Sequence, residues 1–432
     1  MATGVEDLLE RRYRVLGRGS PLFYDEPLHI VRGDGVWLFD PDGRRYLDAY
    51  NNVPHVGHCH PRVVEAIARQ AATLNIHTRY LHENILDYAE RLLAKFDAPL
   101  SMVIFACTGS EANDVALQMA RLCTGNQGII ATSFAYHGNT TAVWKVSSLF
   151  TGTEERGPFV RTVPAPDTYR VADGLVSADP GEGYARTVKD AVDDLDAAGI
   201  GVAGILFDTI FSSEGLPNVP AEYVRNAVRH VRAAGGLYIA DEVQPGFGRM
   251  GDHLWGYRHH GVVPDIVTLG KPMGNGHPIS GVVAREDLMT EFAAARMYFN
   301  TFGGNPVSCA AALAVLDVLE EEGLMEHARA VGEHVLAGLR ELAERHALIG
   351  DVRGRGLFFG VELVRDRATL EPATAEAKRL INAMRDRGVL ISRIGLHDNV
   401  LKIRPPMPFA REHADLLLSA LDDCLSDLER RP

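Results

Sequence analysis

Residues 236–249 read GLYIADEVQPGFGR, and residues 266–276 read IVTLGKPMGNG. Each opens as an apolar run of strand length and ends in a polar or glycine-rich turn. The first run carries Asp241 to its carboxyl end and the second carries Lys271. Nearly all-apolar strands belong to sheets covered on both faces, and such sheets are mainly parallel. Ligands of such sheets sit beyond the carboxyl ends of the strands. The residue after each strand is therefore where chemistry is expected.

The same texture extends outward. Runs at 101–106 (SMVIFA), 128–132 (GIIAT), 202–207 (VAGILF) and 281–284 (GVVA) alternate with helical patterns between about residues 60 and 300. Residues 62–74 are expected to be a helix with Val63, Val64, Ile67, Ala71 and Leu74 on one face. After Pro306 a long helical stretch (about 306–347) leads into strands near 356–364, 387–392 and 399–405, then an amphipathic helix near 410–429. That is an α+β pattern. The expected division is a large α/β domain over 51–305 and a smaller domain over 306–432. Residues 1–50 hold a strand pair (HIVRGDGVWLFDPDGRRYLD) that is expected to pack with the smaller domain.

Composition excludes several classes of function. A net charge of −13 argues against an extended nucleic-acid or anionic-membrane surface, both of which need a positive field. No apolar run approaches the roughly 18 residues needed to cross a bilayer. The first residues lack the apolar core of a signal peptide. The five cysteines form no CxxC pair and read as reduced thiols, so a cytoplasmic location is expected. His58-Cys59-His60 invites a metal reading, but no further ligands follow at zinc spacing, and no metal is expected.

Three strand ends carry polar residues that fit one cofactor. Thr108-Gly109-Ser110 opens a helix, where free amides and the positive dipole end suit a phosphate; Ser110 alone also reads as an N-cap. Asp241 can accept a hydrogen bond from a pyridinium nitrogen, or simply cap the next turn. Lys271 can be a surface residue, or an amine held in an apolar pocket where desolvation lowers its pKa and keeps it nucleophilic.

Taken together, Asp241-Glu242-Val243-Gln244-Pro245-Gly246-Phe247-Gly248-Arg249 followed by Gly270-Lys271-Pro272 resembles the class III aminotransferases of PLP fold type I. The resemblance spans nearly the whole chain. It includes Thr108-Gly109-Ser110-Glu111-Ala112-Asn113, Tyr136-His137-Gly138 and Thr301-Phe302-Gly303-Gly304-Asn305-Pro306. It implies a mainly parallel, seven-stranded-type sheet and pyridoxal 5'-phosphate held by Lys271 as a Schiff base. It also implies that Asp241 pairs with the ring nitrogen, Gln244 bonds the ring hydroxyl, and Val243 and Tyr136 enclose the ring. Gly109 and Ser110 would bind the phosphate, with Thr301 reaching it from the other subunit of a homodimer.

The motifs Asn51-Asn52-Val53, Gly57-His58-Cys59-His60-Pro61 and Gly274-Asn275-Gly276-His277-Pro278 are similar to the branch of ethanolamine-phosphate and phosphohydroxylysine phospho-lyases. The first expectation is an aminotransferase passing the amino group of a primary amine to an oxo acceptor. The alternative is a phospho-lyase acting on ethanolamine phosphate or a similar amino phosphate. One departure bears on the choice. By this resemblance the movable Glu–Arg pair of the transaminases is altered: the glutamate position matches Ser213, with Glu214 one residue away, and the arginine position matches Lys402. Lysine is a point charge and not a bidentate fork. Arg79, Lys402 and Arg404 are the expected ligands of a substrate anion, although Arg79 could instead pair with Glu83 and Arg404 could brace the small domain. A non-catalytic binder of this fold would need to have lost Lys271, which is present.

Overall fold

The computed structural model describes residues 4–175 and 179–430. Its large sheet has seven strands, labelled here in chain order: β1 Leu100–Ala106, β2 Gly128–Thr132, β3 Val160–Val163, β4 Val202–Asp208, β5 Leu237–Asp241, β6 Ile266–Leu269 and β7 Ser280–Arg285. The spatial order is β1-β7-β6-β5-β4-β2-β3. Only β7 runs against its neighbours; the pairs β6–β5, β5–β4, β4–β2 and β2–β3 are all parallel.

Successive residues of a strand point to opposite faces, and both faces are covered. Tyr238 and Ala240 of β5 pack with Val188, Val192, Val224 and Val228, which lie on helices Pro180–Ala197 and Tyr223–Ala233. Leu237 and Ile239 face Ala112, Val115, Ala116 and Met119 of helix Gly109–Thr124. This two-sided cover is why the strands read as unbroken apolar runs. Strand β3 went unread because Arg161 and Thr162 interrupt its apolar pattern at the edge of the sheet.

Helix Pro61–Thr73 forms as expected, and only part of its apolar face is buried. Val63 and Ala66 are buried, whereas Val64, Ala71 and Leu74 are exposed in the single chain. The helix turns its Val63–Ala66 side onto helix Pro306–Glu321, and Leu74 has already left the helix as its C-cap. The stretch 306–347 is two helices, Pro306–Glu321 and Leu324–Arg345, separated at Gly323, whose φ of 61° suits glycine. The first of them lies against helices of the large domain and against the turn that carries Lys271.

The smaller antiparallel sheet runs Ile349–Arg355, Phe358–Asp366, Val400–Ile403 and Ser392–Ile394. Val389–Leu390 leaves it to pair in parallel with Arg45–Asp48, so the N-terminal strands join the C-terminal segment directly. No helix among the described residues is long and apolar enough to cross a membrane.

Candidate active site

Strands β4, β5 and β6 end side by side, and their ends carry Asp208, Asp241 and Lys271. Asp208 and Asp241 face each other across the parallel pair. Gly270 follows β6, and Lys271 then takes a positive φ of 28° at the start of a tight turn, Lys271–Gly274. A lysine rarely adopts that backbone, and such strain collects where a side chain must be aimed. The turn is held by Asn275, whose amide donates to Gly57 O at 2.8 Å and accepts from Val56 N at 2.8 Å. Burial, and then the charge of Arg404, lower the Lys271 pKa from its ordinary value to about 8. Its amine is therefore free far more often near neutral pH than that of an ordinary lysine, which favours a nucleophile.

Asp241 is almost wholly buried. Its Oδ2 accepts from His137 Nδ1 at 2.7 Å and from Asn113 Nδ2 at 3.0 Å, and its Oδ1 accepts from the Val243 amide at 3.0 Å. Asn113 is itself fixed, since its Oδ1 accepts from Thr268 Oγ1 at 2.7 Å. Asp241 is thus a gripped carboxylate at the sheet edge, and through the Val243 amide it also caps the next turn.

The helix after β1 settles the reading of Ser110. Its N-cap is Thr108, with a reciprocal capping box to Glu111. Gly109 and Ser110 are the next two residues, and first-turn amides have no intrahelical partner. Ser110 Oγ accepts from the Asn139 amide at 3.1 Å. A Cβ on Gly138 would stand 2.4 Å from that hydroxyl, and one on Gly109 would stand 3.0 Å from Val243. The two glycines let the loops approach the start of this helix closely, where free first-turn amides suit an anion. Tyr136 is half-buried and meets Phe150 edge-on at 5.5 Å.

Lys402 and Arg404 leave the small sheet on the same side, and both are buried. Burial, and next the Arg404 charge, push the Lys402 pKa well below the ordinary lysine value. Its Nζ donates to Ser212 O at 3.4 Å. Arg404 donates to Gln244 Oε1, lies 4.6 Å from the Tyr50 ring centroid, and keeps a buried Nε without a partner. Among the described residues no ion pair joins Lys402 or Arg404 to a carboxylate. Glu214 is turned away and accepts from Thr132 Oγ1. Burial, followed by the charge of Asp208, raises the Glu214 pKa to about 7.

The structure does not bring every expected residue together. Arg79 sits on an exposed loop, its guanidinium 3.9 Å from the Phe299 ring, with no bond to Lys402 or Arg404 and no ion pair to Glu83 among the described residues. Thr301 is exposed on the neighbouring loop. His58 pairs with Asp48 at 2.7 Å and His60 with Glu322 at 3.2 Å, so the two histidines serve different carboxylates. Three contributors had no assigned role: Asn113, Asp208 and Ser212. Asp208 was findable by the strand-end rule that found Asp241, and Asn113 lies one helical turn beyond Gly109.

A lysine amine of lowered pKa, a gripped carboxylate on the neighbouring strand and a helix start with free amides fit pyridoxal phosphate, and they define a PLP enzyme of fold type I. The model of the family "Aminotransferase class-III" matches residues 23–425. The chain is 44% identical to "Alanine--glyoxylate aminotransferase 2-like" of Drosophila melanogaster, covering 97% of this chain and 87% of that protein. It is 39% identical to "Ethanolamine-phosphate phospho-lyase homolog 1" of Caenorhabditis elegans, covering 98% and 94%. Its fold matches a phospholyase from Arthrobacter solved in complex with phosphoethanolamine, at TM-score 0.94 and 50% identity over 97% of this chain and 99% of that one. The chain belongs to the class III aminotransferase family, whose cofactor is pyridoxal phosphate.

Proposed function

We propose that this chain is a phospho-lyase that removes phosphate and ammonia from ethanolamine phosphate or a similarly short amino phosphate. The observation that carries the reading is Arg404, buried beside Lys271 with no carboxylate paired to it. A buried guanidinium without a counter-charge is costly, and an anionic ligand relieves that cost. A transaminase that alternates between an amine and a 2-oxo acid benefits from a carboxylate able to pair with the arginine in one half of the cycle. Here Ser213 occupies that place. The names of the Caenorhabditis and Arthrobacter proteins support the same reading.

When bound, pyridoxal phosphate supplies an electron-poor ring that accepts the charge left as a proton departs from the amine-bearing carbon. Lys271 would hold the cofactor and, once its amine is free, take that proton. Asp241, fixed by Asn113 and His137, would set negative charge at the ring nitrogen. Gly109 and Ser110 would bind the cofactor phosphate, Tyr136 and Val243 would enclose the ring, and Gln244 would face its hydroxyl. Arg404 and Lys402 would hold the substrate phosphate. As its carbon–oxygen bond breaks, the leaving phosphate keeps the electron pair, so cations at that spot favour departure. The unsaturated amine left behind takes up water and yields an aldehyde and ammonium.

The active unit in this proposal is a homodimer in which Thr301 serves the neighbouring site. Leu81, Met297 and Phe302 are 97%, 90% and 70% exposed in the single chain, an apolar surface of the kind that a second subunit covers. Transamination is the second reading, favoured by the name of the Drosophila relative. The test is incubation of the holoenzyme with ethanolamine phosphate in the absence of any oxo acid. Sustained release of inorganic phosphate supports elimination; its absence overturns it.

A further inference from the structure

Asp208, Ser212, Gln244 and Arg404 form one continuous buried chain. Ser212 Oγ donates to Asp208 Oδ2, Gln244 Nε2 donates to Ser212 Oγ, and Arg404 donates to Gln244 Oε1. All four residues are at least nine-tenths buried. The polarity of this chain is set from its Arg404 end. A guanidinium has donors only, so the Gln244 carbonyl must face it and the Gln244 amide must point the other way. The Ser212 oxygen must then accept from that amide and spend its own hydrogen on Asp208. Burial, and then the Asp241 charge, raise the Asp208 pKa, and the amides of Ile210 (3.0 Å) and Ser212 (3.2 Å) that donate to it oppose that rise. The backbone of Ser212 also serves the second cation, because its carbonyl accepts from Lys402 Nζ at 3.4 Å.

We propose that Ser212 is a positioning residue that fixes the substrate-anion site, its hydroxyl orienting Gln244 so that Arg404 is held as a stationary anion ligand and not as a swinging gate. The identity of the anion, the phosphate of an amino phosphate, rests on the phospho-lyase reading. Ser212 itself need not touch the substrate. Without its hydroxyl, the Gln244 amide loses its only acceptor in the chain, can flip, and would then present donors to a guanidinium that cannot accept them. Arg404 would lose its restraint. The fold should survive, because Asp208 keeps both backbone donors.

The experiment compares wild-type, Ser212→Ala and Ser212→Thr holoenzymes. Inorganic phosphate is titrated against the cofactor absorbance, and steady-state kinetics are measured with ethanolamine phosphate. For Ser212→Ala, phosphate binding should weaken about tenfold and KM should rise by a similar factor, as expected when a charge-assisted hydrogen bond loses its geometry. Its kcat should stay within about twofold of wild type, since the loss falls on binding. Ser212→Thr, which keeps the hydroxyl, should recover most of the affinity. Phosphate affinity and KM unchanged in Ser212→Ala would overturn the inference, as would a fall in kcat at constant KM. A wild type that binds inorganic phosphate but releases none from ethanolamine phosphate overturns the lyase reading alone, because the variants are still ranked by phosphate affinity. A wild type that binds no phosphate overturns the anion site and the inference with it.

Discussion

His137 Nδ1 lies 2.7 Å from Asp241 Oδ2, and both groups are buried. Burial opposes a charge on the imidazole, yet the hydrogen bond and the charge of Asp241 outweigh it and raise the His137 pKa. The His137 side of the pair is closed to solvent, and the Asp241 side is nearly so. Asp241→Asn should therefore keep the fold and bind the cofactor but lose roughly a hundredfold or more in kcat, the scale seen when one preorganised electrostatic group is removed. His137→Phe should lose less, because Asn113 and the Val243 amide still grip the carboxylate. The check is kcat in each variant, with cofactor content measured separately. An Asp241→Asn enzyme of near-native kcat would remove Asp241 from its proposed role.

Lys271 gives a pH prediction. Its pKa is lowered from 10.5 to about 8, so its free-amine fraction rises through pH 8 and is nearly complete well below the ordinary lysine range. Attachment of pyridoxal phosphate to the cofactor-free chain, followed by absorbance, should accelerate up to about pH 8 and then level off. A rate still climbing at pH 10 would mean that the amine is not depressed. The sign for stability is fixed as well. Between about pH 8 and 10.5 the unfolded chain binds more protons at this lysine, so this group makes the cofactor-free fold more stable as pH rises through that window.

Arg404 and Lys402 separate by substitution. Arg404→Ala should lower kcat/KM for ethanolamine phosphate about ten- to hundredfold, the loss of a charge-assisted bond, and should matter far less for an uncharged amine. Lys402 should make amino-phosphate binding pH-dependent. Its pKa is depressed in the free protein and an incoming anion raises it, so binding takes up a proton and weakens as pH rises. Lys402→Met should flatten that dependence. Equal slopes in the wild type and Lys402→Met would show that Lys402 does not face the anion.

The shared site is tested by subunit exchange. Lys271→Ala and Thr301→Ala proteins, each strongly impaired alone, should regain activity when mixed, because one site of each hybrid dimer would be wild type. Mixing without recovery, with exchange confirmed, would place Thr301 in its own chain's site or outside any site. Arg79, stacked on Phe299 beside the same exposed surface, should affect association more than anion affinity.

Much of the frame was legible because burial on both faces leaves unbroken apolar strands, and those strands point to their own carboxyl ends. Asp241 and Lys271 were readable for that reason. Strand β3 was not, because an edge strand tolerates Arg161 and Thr162. Val64 and Leu74 are exposed although they share the apolar face, because periodicity marks such a face without saying what covers it. The chain from Asp208 to Arg404 is closed by one link across 160 positions, Arg404 to Gln244, and depends on side-chain polarity after folding. Local sequence carries no trace of such a chain. Ser110 shows the opposite case: two hydroxyls two residues apart could each cap the helix, and only geometry assigned that role to Thr108.

The central claim is that Lys271 and the Arg404 site carry out elimination and not transfer. The most direct measurement is a time course of inorganic phosphate and ammonium from ethanolamine phosphate, in molar excess over enzyme and with no oxo acid present. Elimination predicts that both products rise together through many turnovers, with an equal amount of aldehyde. Transfer without an acceptor would stop after one equivalent per active site and release no phosphate, and that result would contradict the account.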